Sequence, residues 1–113
     1  MNEIIILIIT HIFVGVIFTI LGVPLYLEKI KPNKLYGFRL EKTLSNKKIW
    51  YKANKFVGKD LINSGILIVI ISLLILTVNQ KIPFIYIALI ELLIVIIPVI
   101  IIITRGMNYL NKL

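Results

Sequence analysis

The sequence predicts an all-α fold: an integral membrane protein with three transmembrane helices and a cytoplasmic amphipathic interfacial helix between the first and the second. Hydrophobic residues make up 59% of the 113 residues, above the roughly 45–50% of soluble globular domains. Three apolar stretches are each long enough to cross a bilayer, which takes about 20 residues. A basic segment, residues 28–60, separates the first two. The length predicts a single membrane domain over residues 1–113.

The first span is expected at about residues 4–27, in the stretch IIILIITHIFVGVIFTILGVPLYL. A cleaved signal peptide would begin with basic residues and end at a small-x-small cleavage site. The residues ahead of this stretch include Glu3 but no Lys or Arg, and no such site follows. The stretch is therefore predicted to be a retained span.

The basic segment contains the predicted interfacial helix. Ser45 is the expected N-cap, because its hydroxyl can accept a hydrogen bond from an amide of the first turn. Five apolar residues then recur with the helical period and share one face: Ile49, Trp50, Ala53, Phe56 and Val57. We expect Trp50 and Phe56 in the headgroup boundary and the lysines against the anionic inner leaflet of the lipid bilayer. The helix either anchors the segment alone or also forms a docking surface.

The second and third spans are expected at about residues 61–78 and 84–104. Gly58, Gly65 and Ser72 recur every seven residues along the second, and small residues let membrane helices approach closely. Pro98 is expected to kink the third span. The kink can be tolerated there because neighbouring groups can satisfy the carbonyl that the proline leaves without a donor. The protein is also expected to form a homo-oligomer.

The distribution of Lys and Arg predicts the orientation. Ten of the 13 basic residues lie in the segment between the first two spans, and basic loops stay on the cytoplasmic side. The protein is therefore expected in the bacterial cell membrane, multi-pass, with its N-terminus outside and its C-terminus in the cytoplasm. The net charge of +8 is assigned to this topology, and no nucleic-acid partner is expected.

Two ionisable residues, His11 and Glu91, lie within predicted spans. Both spans start outside under this topology, and both residues lie about 10 Å in at 1.5 Å per residue. They are therefore expected at the same depth. Ionisable residues inside membranes usually face protein or water, so the pair either forms an outward-facing polar pocket for a toxin, a cation or a proton, or only pins two helices together.

Within the basic segment, a set of residues stands at a recognisable spacing: Pro32, Asn33, Tyr36, Gly37, Arg39, Thr43, Leu44, Asn46, Trp50, Asn54 and Gly58. This pattern resembles the signature of the SdpI family of small bacterial membrane proteins, and the two spans that follow also fit. Leu40 departs from it, because Thr is common at that place.

The resemblance implies toxin immunity. The best-known member of the family protects its producer from a secreted, membrane-active peptide toxin made during sporulation, and it holds a transcriptional repressor at the membrane when toxin is present. For this chain the resemblance implies two partners, a peptide toxin and a cytoplasmic regulator. It also implies that the signature residues are binding residues.

An enzyme, a transporter and a holin are the other function classes that bear on this sequence. The sequence has no Cys, one His and no visible set of nucleophile and base, so no enzyme, metal site or cofactor is expected. A small oligomeric proton-coupled transporter is one alternative, because small multidrug exporters are about this long and carry a membrane Glu, although in the first of four spans. A holin-like membrane protein is the other, although holins usually have short loops and a charged tail.

Overall fold

The computed structural model describes residues 2–113, which form a bundle of helices. In chain order these are α1 (Glu3–Tyr26), the short α2 (Glu41–Leu44), α3 (Lys47–Val78) and α4 (Phe84–Leu110), with a 3-10 turn at Asn79–Lys81 between the last two. Helices α1, α3 and α4 are long and apolar enough to cross a membrane. The bundle measures 51 Å along its longest axis, more than the roughly 30 Å of a hydrocarbon core.

The predicted interfacial helix is not a separate element, and this part of the prediction was wrong. Residues 47–60 are the first turns of α3, which continues unbroken to Val78. No Pro interrupts this stretch, so nothing in the backbone forces the helix to stop at the membrane boundary. The N-cap also differs: Asn46 accepts from the N–H of Ile49 at 3.2 Å. Ser45 instead closes α2, donating its N–H to the carbonyl of Glu41 at 3.0 Å.

Helices α1 and α3 run antiparallel and approach closely along a line of glycines. Gly15 faces Gly65, and Gly22 faces Gly58. A Cβ added at Gly58 would lie 2.7 Å from the backbone nitrogen of Tyr26 and 2.8 Å from the carbonyl oxygen of Gly22. The absence of side chains at these positions is what allows the two backbones to come together.

Helix α4 packs against this pair at both of its ends. Near its start, Ile87 joins Ile8 of α1 and Ile75 of α3 in a buried apolar cluster. Near its end, Gly106 lies against Val57 of α3. Large apolar side chains elsewhere on the three helices point outward, with Phe13 63% and Leu74 62% exposed, as expected for surfaces that face lipid.

The bundle has a basic end and an opposite end. The basic end is where α1 and α4 finish and α3 begins, and the opposite end is where α1 and α4 begin and α3 finishes.

Candidate functional site

The family-like signature lies at the basic end, where the chain from 27 to 46 wraps over the first turns of α3. Asn33 stabilises the first turn of this wrap. Its side-chain amide accepts two hydrogen bonds and donates two, all of them with backbone groups of the wrap. Its Oδ1 accepts from the N–H groups of Leu35 (2.9 Å) and Tyr36 (2.7 Å). Its Nδ2 donates to the carbonyls of Lys31 (2.7 Å) and Tyr36 (3.0 Å). Half-buried Pro32 precedes it and restricts the backbone on either side.

Tyr36 and Gly37 fix the wrap to the helices. The Tyr36 hydroxyl donates to the carbonyl of Leu21 in α1, and burial raises the pKa of the Tyr36 phenol above its usual value. Gly37 has a φ of 124°, a conformation that residues with a Cβ rarely adopt. A Cβ there would also lie 2.8 Å from Asn54 Oδ1 and 2.9 Å from Trp50 Cη2. Only glycine fits this place without a shift of its neighbours.

Trp50 and Asn54 form the surface of α3 on which the wrap lies. The Trp50 side chain is fully buried, and its indole N–H donates to the carbonyl of Ile30 at 2.7 Å. Asn54 Oδ1 accepts from the N–H of Phe38 at 2.5 Å, and its Nδ2 donates to the carbonyl of Trp50 at 3.0 Å. The prediction that Trp50 lies in the headgroup boundary was therefore wrong, because the wrap covers the indole and leaves none of it exposed to lipid.

Phe56 was predicted at the same boundary, and the structure gives it a protein partner. Its ring stacks on Tyr109 of α4, with ring centroids 4.3 Å apart and planes 4° from parallel.

The last part of the signature ties α2 into the wrap. Thr43 is fully buried; its hydroxyl accepts from the N–H of Leu40 at 2.8 Å and lies 2.9 Å from the carbonyl of Phe38. Leu44 is 46% exposed. Arg39 is exposed and donates to the carbonyl of Lys34.

The wrap (residues 27–46) and the first turns of α3 (residues 47–57) together form what we call the cap. Lys42 joins it to α4 by donating to the carbonyl of Leu110 at 2.8 Å. Most signature side chains bond to the backbone of the cap itself, and Gly58 is packed against α1. Most residues of the signature therefore stabilise the folded cap. Arg39 is the exposed cation of the signature.

The second predicted site, the intramembrane polar pair, lies toward the opposite end. The Glu91 side chain is fully buried, and His11 Nδ1 lies 3.8 Å from its Oε2. The same Nδ1 is 2.9 Å from the carbonyl of Leu7, and an N–H there donates to that carbonyl. His11 and Glu91 are therefore in contact without a hydrogen bond between them.

Ser72 is the residue at this place that the sequence did not single out as a functional partner. Its hydroxyl donates to Glu91 Oε2 at 3.0 Å. In the sequence, its seven-residue spacing from Gly65 indicated only a small residue on a helix-packing face. The same spacing could have indicated that its hydroxyl points toward the polar residues of the other helices. His11, Ser72 and Glu91, one from each long helix, are called the polar cluster below.

The polar cluster leaves one polar atom unused. Glu91 Oε1 is buried and has no hydrogen-bond partner among the described residues, which is costly in apolar surroundings. A hydrogen-bond donor of a ligand would give it a partner. Within residues 2–113, no three His, Cys, Asp or Glu side chains come together as metal ligands would.

Fold and sequence together define a helical, multi-pass membrane protein. The model of the SdpI/YfhL protein family matches residues 29–102, and the chain belongs to this family. The match covers residues 29–57 of the cap, the rest of α3, and α4 as far as Ile102, which confirms the resemblance of the signature. No curated protein and no solved structure matches the chain. Family membership supports a membrane protein of the immunity type.

Proposed function

We propose that the chain is a membrane-embedded immunity protein that protects its host cell from a secreted, membrane-active antimicrobial peptide. The observation that carries this proposal is membership of the SdpI/YfhL family, with a match that runs from the cap into α4. The three apolar helices support it further, because they put the protein in the bilayer that such a peptide attacks.

In this proposal the basic end lies in the cytoplasm and the N-terminus outside, as the concentration of Lys and Arg between α1 and α3 favours. The toxin arrives from outside, so the polar cluster is the better placed site for first contact. The cap is the better placed surface for relaying the presence of toxin to a cytoplasmic regulator, with Arg39 as its exposed cation.

The test is survival of a toxin-sensitive Gram-positive host that carries the gene and is challenged with a secreted sporulation-type peptide toxin. Wild type, Glu91→Gln, His11→Ala and Arg39→Ala are compared at equal membrane abundance. Leu35→Ala is the matched control, because Leu35 is 91% exposed and contributes only its backbone to the wrap. We expect protection by wild type and by the control.

The pattern of loss identifies the side that acts. Loss in Glu91→Gln and His11→Ala, with no further loss in the double variant, assigns protection to the polar cluster, since residues that act as one unit are not additive. Loss in Arg39→Ala alone assigns it to the cap. Absence of protection by wild type, or killing on induction without toxin, as a holin would cause, contradicts the proposal.

The buried carboxyl of Glu91 favours a second candidate, a small oligomeric proton-coupled transporter. An ionisable group in contact with a histidine inside a membrane is the usual arrangement of a proton relay. Three helices are few for a pathway, so this candidate requires self-association. Uptake into proteoliposomes that depends on an imposed pH gradient and is abolished in Glu91→Gln would favour it, and uptake without such dependence would exclude it.

A further inference from the structure

A groove at the edge of the cap is lined by residues that belong to neither the signature nor the polar cluster. It lies where the ends of α1 and α4 pass the start of α3, and its volume is about 270 Å3. Three lysines and three aromatic residues line it: Lys52, Lys55, Lys59, Tyr26, Phe56 and Tyr109. We call it the lysine groove.

The lysines of the groove are free to bind an anion. They lie on one face of α3, and within residues 2–113 none of them forms a salt bridge with a carboxylate. The nearby carboxylate of Asp60 is engaged, because it accepts from Arg105 Nε at 2.8 Å. Glu28 also lines the groove, and one carboxylate against three lysines leaves the groove positively charged.

Aromatic rings hold the groove in shape. The stacked rings of Phe56 and Tyr109 join α3 to α4, and Lys55 Nζ lies 5.2 Å from the centre of the Tyr26 ring. A cation over an aromatic face is attracted to the ring, so Lys55 is positioned rather than free in solvent. Tyrosines of this kind are typical of the level of a membrane where lipid headgroups lie.

The apolar surface next to the groove indicates that the anion is a lipid. Exposed apolar side chains lie farther from the basic end on both helices that border the groove: Val23, three residues before Tyr26, is 39% exposed, and Ile103, six residues before Tyr109, is 53% exposed. Exposed apolar side chains of α1 and α4 therefore lie between the groove and the middle of the bundle, where acyl chains can lie. A soluble anion would make no use of that surface.

We infer that the lysine groove binds the headgroup of an anionic phospholipid, with the phosphate held by Lys52, Lys55 and Lys59 and the acyl chains along α1 and α4. The site has the features of known headgroup sites, in which basic side chains cluster just outside membrane helices. It is separate from the proposed immunity function and would hold if that function were wrong.

The test compares lipid binding by the purified full-length chain in detergent, measured by native mass spectrometry with phosphatidylglycerol and phosphatidylcholine. The groove variant is Lys52→Gln/Lys55→Gln/Lys59→Gln. The matched control, Lys31→Gln/Lys34→Gln/Lys47→Gln, removes the same charge from exposed positions outside the groove. Emission from Trp50 checks that the cap is folded in both variants.

We expect wild type to prefer phosphatidylglycerol, and the groove variant to lose about 100-fold in affinity for it, because each lysine contributes about fivefold near an anionic headgroup. The control should keep its preference, and inorganic phosphate at millimolar concentration should not displace the lipid. Equal losses in the two folded variants, no preference in wild type or displacement by phosphate would each overturn the inference.

Discussion

The close approach of α1 and α3 leads to a quantitative prediction for Gly65→Ala. The new Cβ would lie 2.5 Å from the carbonyl oxygen of Gly15 and closer still to the hydroxyl of Thr19. An ordinary contact begins at 3.4 Å. A carbonyl of a helix backbone cannot rotate away as a side chain can, so the two helices must move apart and lose contacts along their shared face.

We expect Gly65→Ala to lower the free energy of unfolding by about 1–3 kcal/mol, the usual cost of adding a group to a closely packed interface. The assay is equilibrium unfolding by dodecyl sulfate in mixed micelles, followed by circular dichroism. Gly106→Ala is the control, because its Cβ would meet the side chains of Val57 at 3.1 Å and Phe38 at 3.3 Å, which can shift. Wild-type stability in Gly65→Ala, or equal losses in both variants, would contradict a backbone clash between α1 and α3 at this position.

Two further predictions concern polar side chains. Ser72→Ala removes the donor to Glu91 and should lower the free energy of unfolding in the same assay by about 0.6–2 kcal/mol, the range for hydrogen bonds between membrane helices. Thr77→Ala, whose exposed hydroxyl bonds to Leu74 of its own turn, should cost less, and an equal cost would argue against the polar cluster. Partial burial raises the pKa of the Tyr36 phenol, so the folded state keeps this proton after the unfolded state has lost it, and stability should be complete below pH 10.0 and fall above it. A pH titration of the unfolding midpoint should show that this alkaline loss is smaller in Tyr36→Phe, and an unchanged loss would contradict it.

The three long helices follow from the sequence because the bilayer demands long apolar stretches, and composition reveals these directly. Two finer features also followed. Counting residues from the start of each span placed His11 and Glu91 at one depth, and the structure brings them within 3.8 Å. The seven-residue spacing of Gly58 and Gly65 marked the face that meets α1.

The cap did not follow from the sequence, for a physical reason. Its segment from 27 to 46 has no periodicity, and its contacts join residues that are distant along the chain, as between Trp50 and Ile30 or between Asn54 and Phe38. An apolar helix face predicts burial without saying whether lipid or protein does the burying. Trp50 was therefore assigned to the headgroup boundary, and only the tertiary structure shows that the wrap covers it.

The family signature folds the wrap over Trp50 and so builds the cap. Trp50 is the only Trp in the chain, so its fluorescence reports on the cap directly. The most direct measurement is quenching of this emission in reconstituted vesicles, by iodide added to both sides and, separately, by lipids brominated near the headgroup. We expect wild type to resist both quenchers. In Gly37→Ala, which cannot hold the wrap against Trp50 and Asn54, Trp50 should become accessible. Strong quenching of wild type by brominated lipid would place Trp50 in the membrane interface and contradict the claim.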